Sequence, residues 1–260
     1  MTNSIFTILV LMFFLVSCNE LESQQSNNSY VQNNIDSLNE CEQFYNNWKD
    51  NSTISKTSGT VSNGSLANGK LMPYNGENFT YFDDESYLAG RAFTSQEVKE
   101  TILLSYQSMQ LLSPKRHFYL MELSNEKGGK IYPHRTHQNG LSVDFMMPML
   151  KNNVPYYGLD TLGKNHYLLS FNEKGEYSED KDVIVDFDLI ALHILELEKA
   201  AKKQNLKISK VIIKIEYKDE LLATKNGKLL KNSDIYIVNG LTPLINHLHD
   251  DHYHIDFEKI

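Results

Sequence analysis

The stretch His249-Asp250-Asp251-His252-Tyr253-His254-Ile255-Asp256-Phe257 decides how this chain must fold. Three of the nine histidines fall within six positions of one another here. Read as an extended strand, its side chains alternate between faces: His252, His254 and Asp256 point one way, Tyr253, Ile255 and Phe257 the other. One face is apolar and belongs against a core. The other presents two imidazoles and a carboxylate, the donor chemistry of a metal site. A second cluster lies far upstream, His134-Arg135-Thr136-His137 followed by Asp144. It supplies what the strand lacks, so the fold has to bring the two stretches together.

A catalytic zinc takes three protein ligands and leaves a fourth position for water. The set this spacing favours is His137, Asp144 and His254. After His137, Gly140 gives a turn, and Leu141-Ser142-Val143-Asp144-Phe145-Met146 alternates as a strand. Leu141, Val143 and Phe145 share one face; Ser142 and Asp144 share the other, as a ligand beside a cleft requires. Zinc held in this way lowers the pKa of its water from roughly 15.7 to about 7. Hydrolysis also needs a base for the water proton and a donor for the oxyanion. His252 shares the face of His254, about 7 Å of strand away, and can act on the water without ligating. His249 adds a second imidazole, and Asp250 and Asp251 can orient these rings. His134 is either a fourth ligand or a substrate contact. A single histidine is more often surface or core than ligand; five histidines and an aspartate in two tight groups reverse that expectation. His117, His166, His193 and His247 lack such company and read as structural. Glu122 is a candidate buried carboxylate near the site.

Around this centre the chain has the composition of an ordinary globular protein. Its 260 residues are 41% hydrophobic and 22% charged, enough for one large domain or two small ones. The net charge of −8 and the absence of any Lys/Arg block exclude a nucleic-acid partner. Ile5 to Val16 is an apolar run broken only by Thr7, too short to span a bilayer and of signal-peptide length. It ends in Leu15-Val16-Ser17-Cys18, which resembles the bacterial lipobox and implies that Cys18 is lipidated and becomes the new N-terminus. The segment before it, Met1-Thr2-Asn3-Ser4, lacks the usual Lys or Arg. The alternative is an ordinary signal peptide in which Cys18 is incidental. Asn19 to about Ser52, rich in Asn, Gln, Ser and Glu, reads as a tether. Cys41, left as the only thiol, has no histidine at a telling spacing.

Hydrophobic periodicity predicts a helix over Phe93–Leu112, capped by Thr94 or Ser95 and stopped by Pro114. It predicts a strand over His117–Leu123, a long irregular segment over Lys151–Asp182 that walls a groove, and a helix over Phe187–Gln204. A strand over Ile208–Tyr217 and a shorter one within Leu229–Val238 follow, and Leu241–Leu248 leads into the terminal strand. No βαβ regularity and no glycine-rich phosphate loop occur. The expected class is α+β, a central antiparallel sheet with flanking helices and a zinc site in a cleft on the sheet.

The motif Pro133-His134-Arg135-Thr136-His137-Gln138-Asn139-Gly140-Leu141-Ser142-Val143-Asp144, together with His249-Asp250-Asp251-His252-Tyr253-His254, resembles the penicillin-insensitive murein endopeptidases. These belong to a wider group of zinc peptidases with lysostaphin-type enzymes, D-alanyl-D-alanine peptidases and the Hedgehog signalling domain. The resemblance runs from about Ser62 to Phe257; its histidine motifs are specific and the stretches between are loose. It implies a metal-dependent endopeptidase that cuts D-alanyl–diaminopimelyl cross-links in peptidoglycan and resists β-lactams because it has no serine nucleophile. It implies His137, Asp144 and His254 as zinc ligands, His252 as base and His249 as an aid to the transition state. His134 lines the metal site in that family and is sometimes counted as a ligand. Two departures are visible. The family has Asp-x-Asp where this chain has Ser142-Val143-Asp144, and the segment from Asp144 to Phe187 fits poorly, which bears on the bond cut.

The expected organisation is a signal peptide over 1–17, a lipidated N-terminus and flexible tether over 18–55, and a zinc peptidase domain over 56–260. The expected setting is the periplasm, with the lipid holding the enzyme to a bacterial membrane, the outer one. A D-Ala-D-Ala carboxypeptidase is the second enzymatic reading. A non-catalytic zinc-containing cell-wall binding module is a third, against which stand His249 and His252, since a structural zinc needs neither.

Overall fold

A computed structural model of the chain describes residues 39–48 and 52–260. The expected leader, Cys18 and most of the tether lie outside the described residues. By its contacts the chain divides into two units, 1–44 and 45–260. Helix α1 (Glu40–Asn47) runs through that division and carries the buried Cys41.

The second unit begins with a hairpin, β1 (Lys56–Thr60) and β2 (Asn63–Ala67), followed by β3 (Lys70–Leu71) and β4 (Phe79–Tyr81). A short helix α2 (Asp84–Leu88), strand β5 (Phe93–Thr94) and helix α3 (Gln96–Leu112) come next. Then follow β6 (Phe118–Leu120), β7 (Ser142–Met146), β8 (Met149–Lys151), β9 (Val154–Tyr156), a 3-10 helix (Gly163–Leu168) and β10 (Val183–Val185). Helix α4 (Phe187–Lys203), β11 (Leu206–Ile212), α5 (Tyr217–Ala223), α6 (Lys225–Lys231), α7 (Pro243–His247) and β12 (His252–Lys259) complete it.

Five strands form the main sheet in the order β11-β12-β7-β6-β4. Its centre is antiparallel, as expected, but β4 and β6 pair in parallel, Phe79 opposite Phe118 and Tyr81 opposite Leu120. A parallel neighbour needs a crossover connection, and the stretch containing α3 provides it. The alternation read in the terminal strand holds. Tyr253, Ile255 and Phe257 are at most 2% exposed, and Tyr253 stacks on Phe145 of β7 at 5.4 Å. Burial of each such side chain is worth about 1.5–3 kcal/mol. His252, His254 and Asp256 on the opposite face are buried too, because the segments carrying the other histidines cover them.

Several expected boundaries move. Ser95, not Thr94, caps α3, accepting from the Val98 amide at 3.2 Å, while Phe93 and Thr94 pair with β3. Asp186 caps α4, accepting from the Leu189 amide at 3.1 Å. The strand expected over His117–Leu123 is regular only to Leu120. Met121 and Glu122 still bond the Asp144 backbone, at 2.9 and 3.0 Å. The segment Lys151–Asp182 is less irregular than expected: β8 and β9 form a hairpin that β10 joins. Its turn is Asn152-Asn153, with φ of 53° and 60°. Two left-handed residues are what a tight two-residue hairpin turn requires, and Asn tolerates that conformation.

The strand expected over Ile208–Tyr217 instead spans Leu206–Ile212. Beyond it the Lys214 amide bonds His249 O at 3.0 Å and the Ile215 amide bonds Asn246 Oδ1 at 2.8 Å. Tertiary partners thus take the backbone out of the ladder, and Tyr217 opens a helix. Leu229–Val238 holds the end of α6 and, at Ile237, a single bridge to Val211 rather than a strand. Leu241–Leu248 contains α7, capped by Thr242 with Pro243 in the first turn.

Candidate metal centre and cleft

The upstream histidines sit on a loop that closes on itself. The Gly129 amide bonds Gln138 O at 2.8 Å, and the Gln138 amide bonds Val61 O at 3.0 Å, tying the loop to the β1–β2 hairpin. Gly128, at φ +68°, has no room for a side chain: a Cβ would lie 2.3 Å from Gln138 O. His137 itself adopts φ +66°. A left-handed conformation costs a non-glycine residue roughly 1–2 kcal/mol, and such strain concentrates at functional sites. The surrounding packing holds it there, with the His137 amide 3.3 Å from Ser142 Oγ.

The register of β7 against β12 places Asp144 opposite His254 and Ser142 opposite Asp256. The structure thereby brings His134, His137, Asp144 and His254 into one cluster. His137 Nε2 lies 3.3 Å from Asp144 Oδ2 and 3.1 Å from His254 Nδ1. His254 Nδ1 lies 2.7 Å from Asp144 Oδ1, and His134 Nδ1 lies 3.5 Å from Asp144 Oδ2. Ligand atoms of His134, His137 and Asp144 fall within 4.8 Å of one another, a grouping able to hold a metal ion. That grouping has His134 where the sequence favoured His254, whose Nδ1 lies 3.1 Å from His137 Nε2 and 2.7 Å from Asp144 Oδ1.

Three features test whether these residues suit a divalent cation. The donor set is imidazole nitrogen and carboxylate oxygen, which suits zinc. Asp144 Oδ2, which faces the cluster, is buried without a hydrogen-bond partner, where almost every such atom is satisfied. The local field favours positive charge: burial opposes protonation of His254, yet Asp256 and Asp144 outweigh it and push its pKa up to about 10. Burial likewise opposes ionisation of Asp144, but His137 and His254 hold its carboxyl well below the usual range. The residues fit the ion.

A further layer of acids surrounds the cluster. Asp256 Oδ1 accepts from Ser142 Oγ at 2.5 Å and from His254 Nε2 at 2.7 Å, with Lys210 Nζ 2.9 Å from its other oxygen. Glu122, buried, pairs with His134 Nε2 and lies 3.1 Å from Arg91 Nη1. Asp251 Oδ1 lies 2.5 Å from His252 Nδ1. Burial opposes a charge on His252, but this carboxylate more than offsets it and raises the pKa. His249 Nδ1 donates to Ile245 O at 2.7 Å. Its pKa is driven down to about 3 by burial and then by His252 and His254, so it is a neutral ring. The His249 and His252 ring centres are 4.8 Å apart.

Of these groups, Glu122, His134, His249, His252 and His254 line a cleft of about 730 Å³, within the usual range for a ligand pocket. Ile212, Leu241, Ile245 and Leu248 contribute apolar surface; Arg91, Arg135 and Lys164 contribute cationic side chains. Three of the remaining histidines make packing or backbone contacts. His117 Nε2 is 2.9 Å from Thr80 Oγ1, and His193 lies between α4 and the sheet. His166 bridges Leu159 O and Asp251 O at 3.0 and 3.2 Å. Tyr167, beside it, lines the cleft, and no sequence pattern singled it out among the 15 tyrosines.

Residues 57–258 match the sequence profile of a family described as penicillin-insensitive murein endopeptidase. No curated protein matches the chain.

Proposed function

The chain belongs to the penicillin-insensitive murein endopeptidase family, and from that premise we propose a zinc-dependent hydrolase of D-alanyl–diaminopimelyl cross-links in peptidoglycan. The observation that carries the proposal is the meeting of His254 with His137 and Asp144, over a hundred residues upstream of it, at a cleft that His249 and His252 also line. His137, Asp144 and His254 hold the ion in this reading, with His134 as an additional contact. Bound there, zinc supplies Lewis-acid chemistry, polarising the scissile carbonyl and bringing the pKa of the attacking water from roughly 15.7 towards 7.

His252 takes the water proton. Its Nδ1 is committed to Asp251, so Nε2 carries the lone pair, and the neighbouring carboxylate increases its basicity. It then delivers that proton to the leaving amine. His249, neutral and with Nδ1–H committed to Ile245 O, presents Nε2 as an acceptor. That suits an N–H of the substrate or its leaving amine. The apolar side chains of the cleft suit alanyl methyl groups, and the cationic ones suit the free carboxylates of a stem peptide.

The proposed setting is the cell envelope, with a signal peptide over 1–17, a lipid on Cys18 and a tether to about 55 carrying the catalytic domain. Among the described residues no helix is long and apolar enough to cross a membrane.

The test is to incubate zinc-loaded protein with cross-linked muropeptide dimers and, separately, with monomeric pentapeptide stems. Mass spectrometry should show the dimers split into monomers and the pentapeptides intact. Release of terminal D-alanine from pentapeptides alone would instead make it a carboxypeptidase, and no cleavage of either would leave a binding module. The variant His252→Ala should lose about 10²–10⁴-fold in turnover while retaining its zinc; unchanged turnover would remove His252 as the base.

A further inference from the structure

The reaction proposed above needs a donor for the carbonyl oxygen, and the cleft histidines do not provide one. His249 and His252 each commit Nδ1 to an acceptor, Ile245 O and Asp251 Oδ1, which leaves Nε2 of the neutral ring a lone pair and no proton to donate. His134 is engaged with Glu122. Arg91, which also lines the cleft, is bound to Glu122 and to Tyr132 O.

Tyr167 stands apart from these. Its ring lines the cleft and packs edge-on against His252, ring centres 5.5 Å apart at 88°. On another side it meets Phe82 at 5.6 Å and 80°. Its hydroxyl is buried and has no hydrogen-bond partner among the described residues. A buried hydroxyl without a partner forfeits about 1–3 kcal/mol, and native structures retain few such groups. The hydroxyl lies in the field of Glu122, Asp144 and Asp251; burial first and these carboxylates second raise its pKa well above the usual value. It therefore keeps its proton and can donate.

The backbone carrying this tyrosine is fixed from both ends of the 3-10 helix. The Lys164 amide donates to Asp83 Oδ2 at 3.0 Å. Gly163, at φ +54°, is so close to the same oxygen that a Cβ would lie 2.5 Å from it. His166, next in sequence to Tyr167, bridges Leu159 O and the backbone of Asp251, the residue that orients His252. The position of Tyr167 is thus coupled to the base and not left to a mobile loop.

We propose that Tyr167 is a catalytic residue whose hydroxyl donates a hydrogen bond to the scissile carbonyl oxygen, most strongly as that oxygen becomes anionic. The proposal rests on the peptidase reading of the site. As the water oxygen bonds the carbonyl carbon, the carbonyl π pair moves to oxygen, and the water proton goes to His252. The Tyr167 O–H strengthens its hydrogen bond to that oxygen without transferring its proton. When the C–N bond breaks, the pair returns to form the carboxyl, and His252 passes its proton to the departing nitrogen.

The test compares zinc-loaded wild type with Tyr167→Phe, which keeps the ring and its contacts with His252 and Phe82. The probes are a cross-linked muropeptide dimer and a phosphinate analogue that places an anionic oxygen at the scissile position. Zinc content and melting temperature are measured alongside. Removing one such donor commonly costs 10²–10³ in kcat. Tyr167→Phe should lose about that factor in kcat and weaken phosphinate binding by a similar factor, with KM shifted no more than about threefold and zinc content unchanged. Tyr167→Leu should be no more active than Tyr167→Phe. Unchanged kcat, or reduced kcat with full phosphinate affinity, would overturn the assignment. A wild type that neither cleaves the dimer nor binds the phosphinate would reject the peptidase reading itself, and Tyr167 with it.

Discussion

Asp256 shows how a residue outside the proposed ligand set can govern it. The family resemblance implies a carboxylate two positions before Asp144, where this chain has Ser142. Asp256 faces Ser142 directly across the β7–β12 pair and accepts hydrogen bonds from its hydroxyl and from His254 Nε2. The carboxylate missing from one strand is thus supplied by its neighbour, and Lys210 balances its charge. Such a partner fixes the tautomer and increases the basicity of a ligating imidazole. Asp256→Asn should therefore weaken zinc affinity about 10–100-fold, measured by competition with a chelating indicator, with little change in melting temperature of the zinc-free protein. Unchanged affinity would mean that Asp256 only fills space. The period of two along the terminal strand put His252, His254 and Asp256 on one face, so this much was legible in sequence. Tyr167 was not, because its meaning lies in the missing partner of one hydroxyl, which no local pattern encodes.

At the scale of elements, α4 is joined to the sheet by a histidine. His193 Nδ1 lies 2.5 Å from Tyr253 Oη and Nε2 lies 3.3 Å from Ser105 Oγ. Its ring stacks on Tyr106 at 5.3 Å and meets Phe145 edge-on at 4.9 Å. Burial lowers its pKa from 6.5 to about 3. Between those values the unfolded chain binds a proton that the folded chain refuses, so this group makes stability fall as pH falls through that window. Its unfavourable effect is absent above pH 6.5 and complete below about 3. Chemical denaturation of His193→Gln should show lower stability at pH 7 but a shallower loss from pH 7 to pH 4 than wild type. An equal slope would show that His193 does not carry this acid sensitivity. The helices around it were readable from their 3.6-residue period, with Ser95 one of two expected caps, whereas the Asp186 cap emerged only in the structure. The hairpin at Asn152-Asn153 was missed because its strands are three residues each, too short for alternation to register. The strand expected through Ile213 and Ile215 failed for another reason: residues of the 246–249 segment capture its backbone.

For the whole molecule, the site exists only when distant parts of the chain meet. His137 and His254 are 117 residues apart, and Asp144 and His254 are 110 apart. The α+β class and the pairing of two histidine clusters followed from residue types and spacing. The parallel edge of the sheet did not, because it depends on where the stretch through α3 returns the chain. A metal bound across such separations also stabilises the folded state, since the unfolded chain does not assemble the same ligands. The most direct measurement of the central claim takes purified protein, determines its bound metal, strips it with a chelator and restores zinc, following cleavage of a cross-linked muropeptide dimer at each stage. We expect about one zinc per chain for a single such site, loss of cleavage with the metal, and recovery on zinc addition. Full cleavage by the stripped protein would contradict the metal-dependent reading of His137, Asp144 and His254.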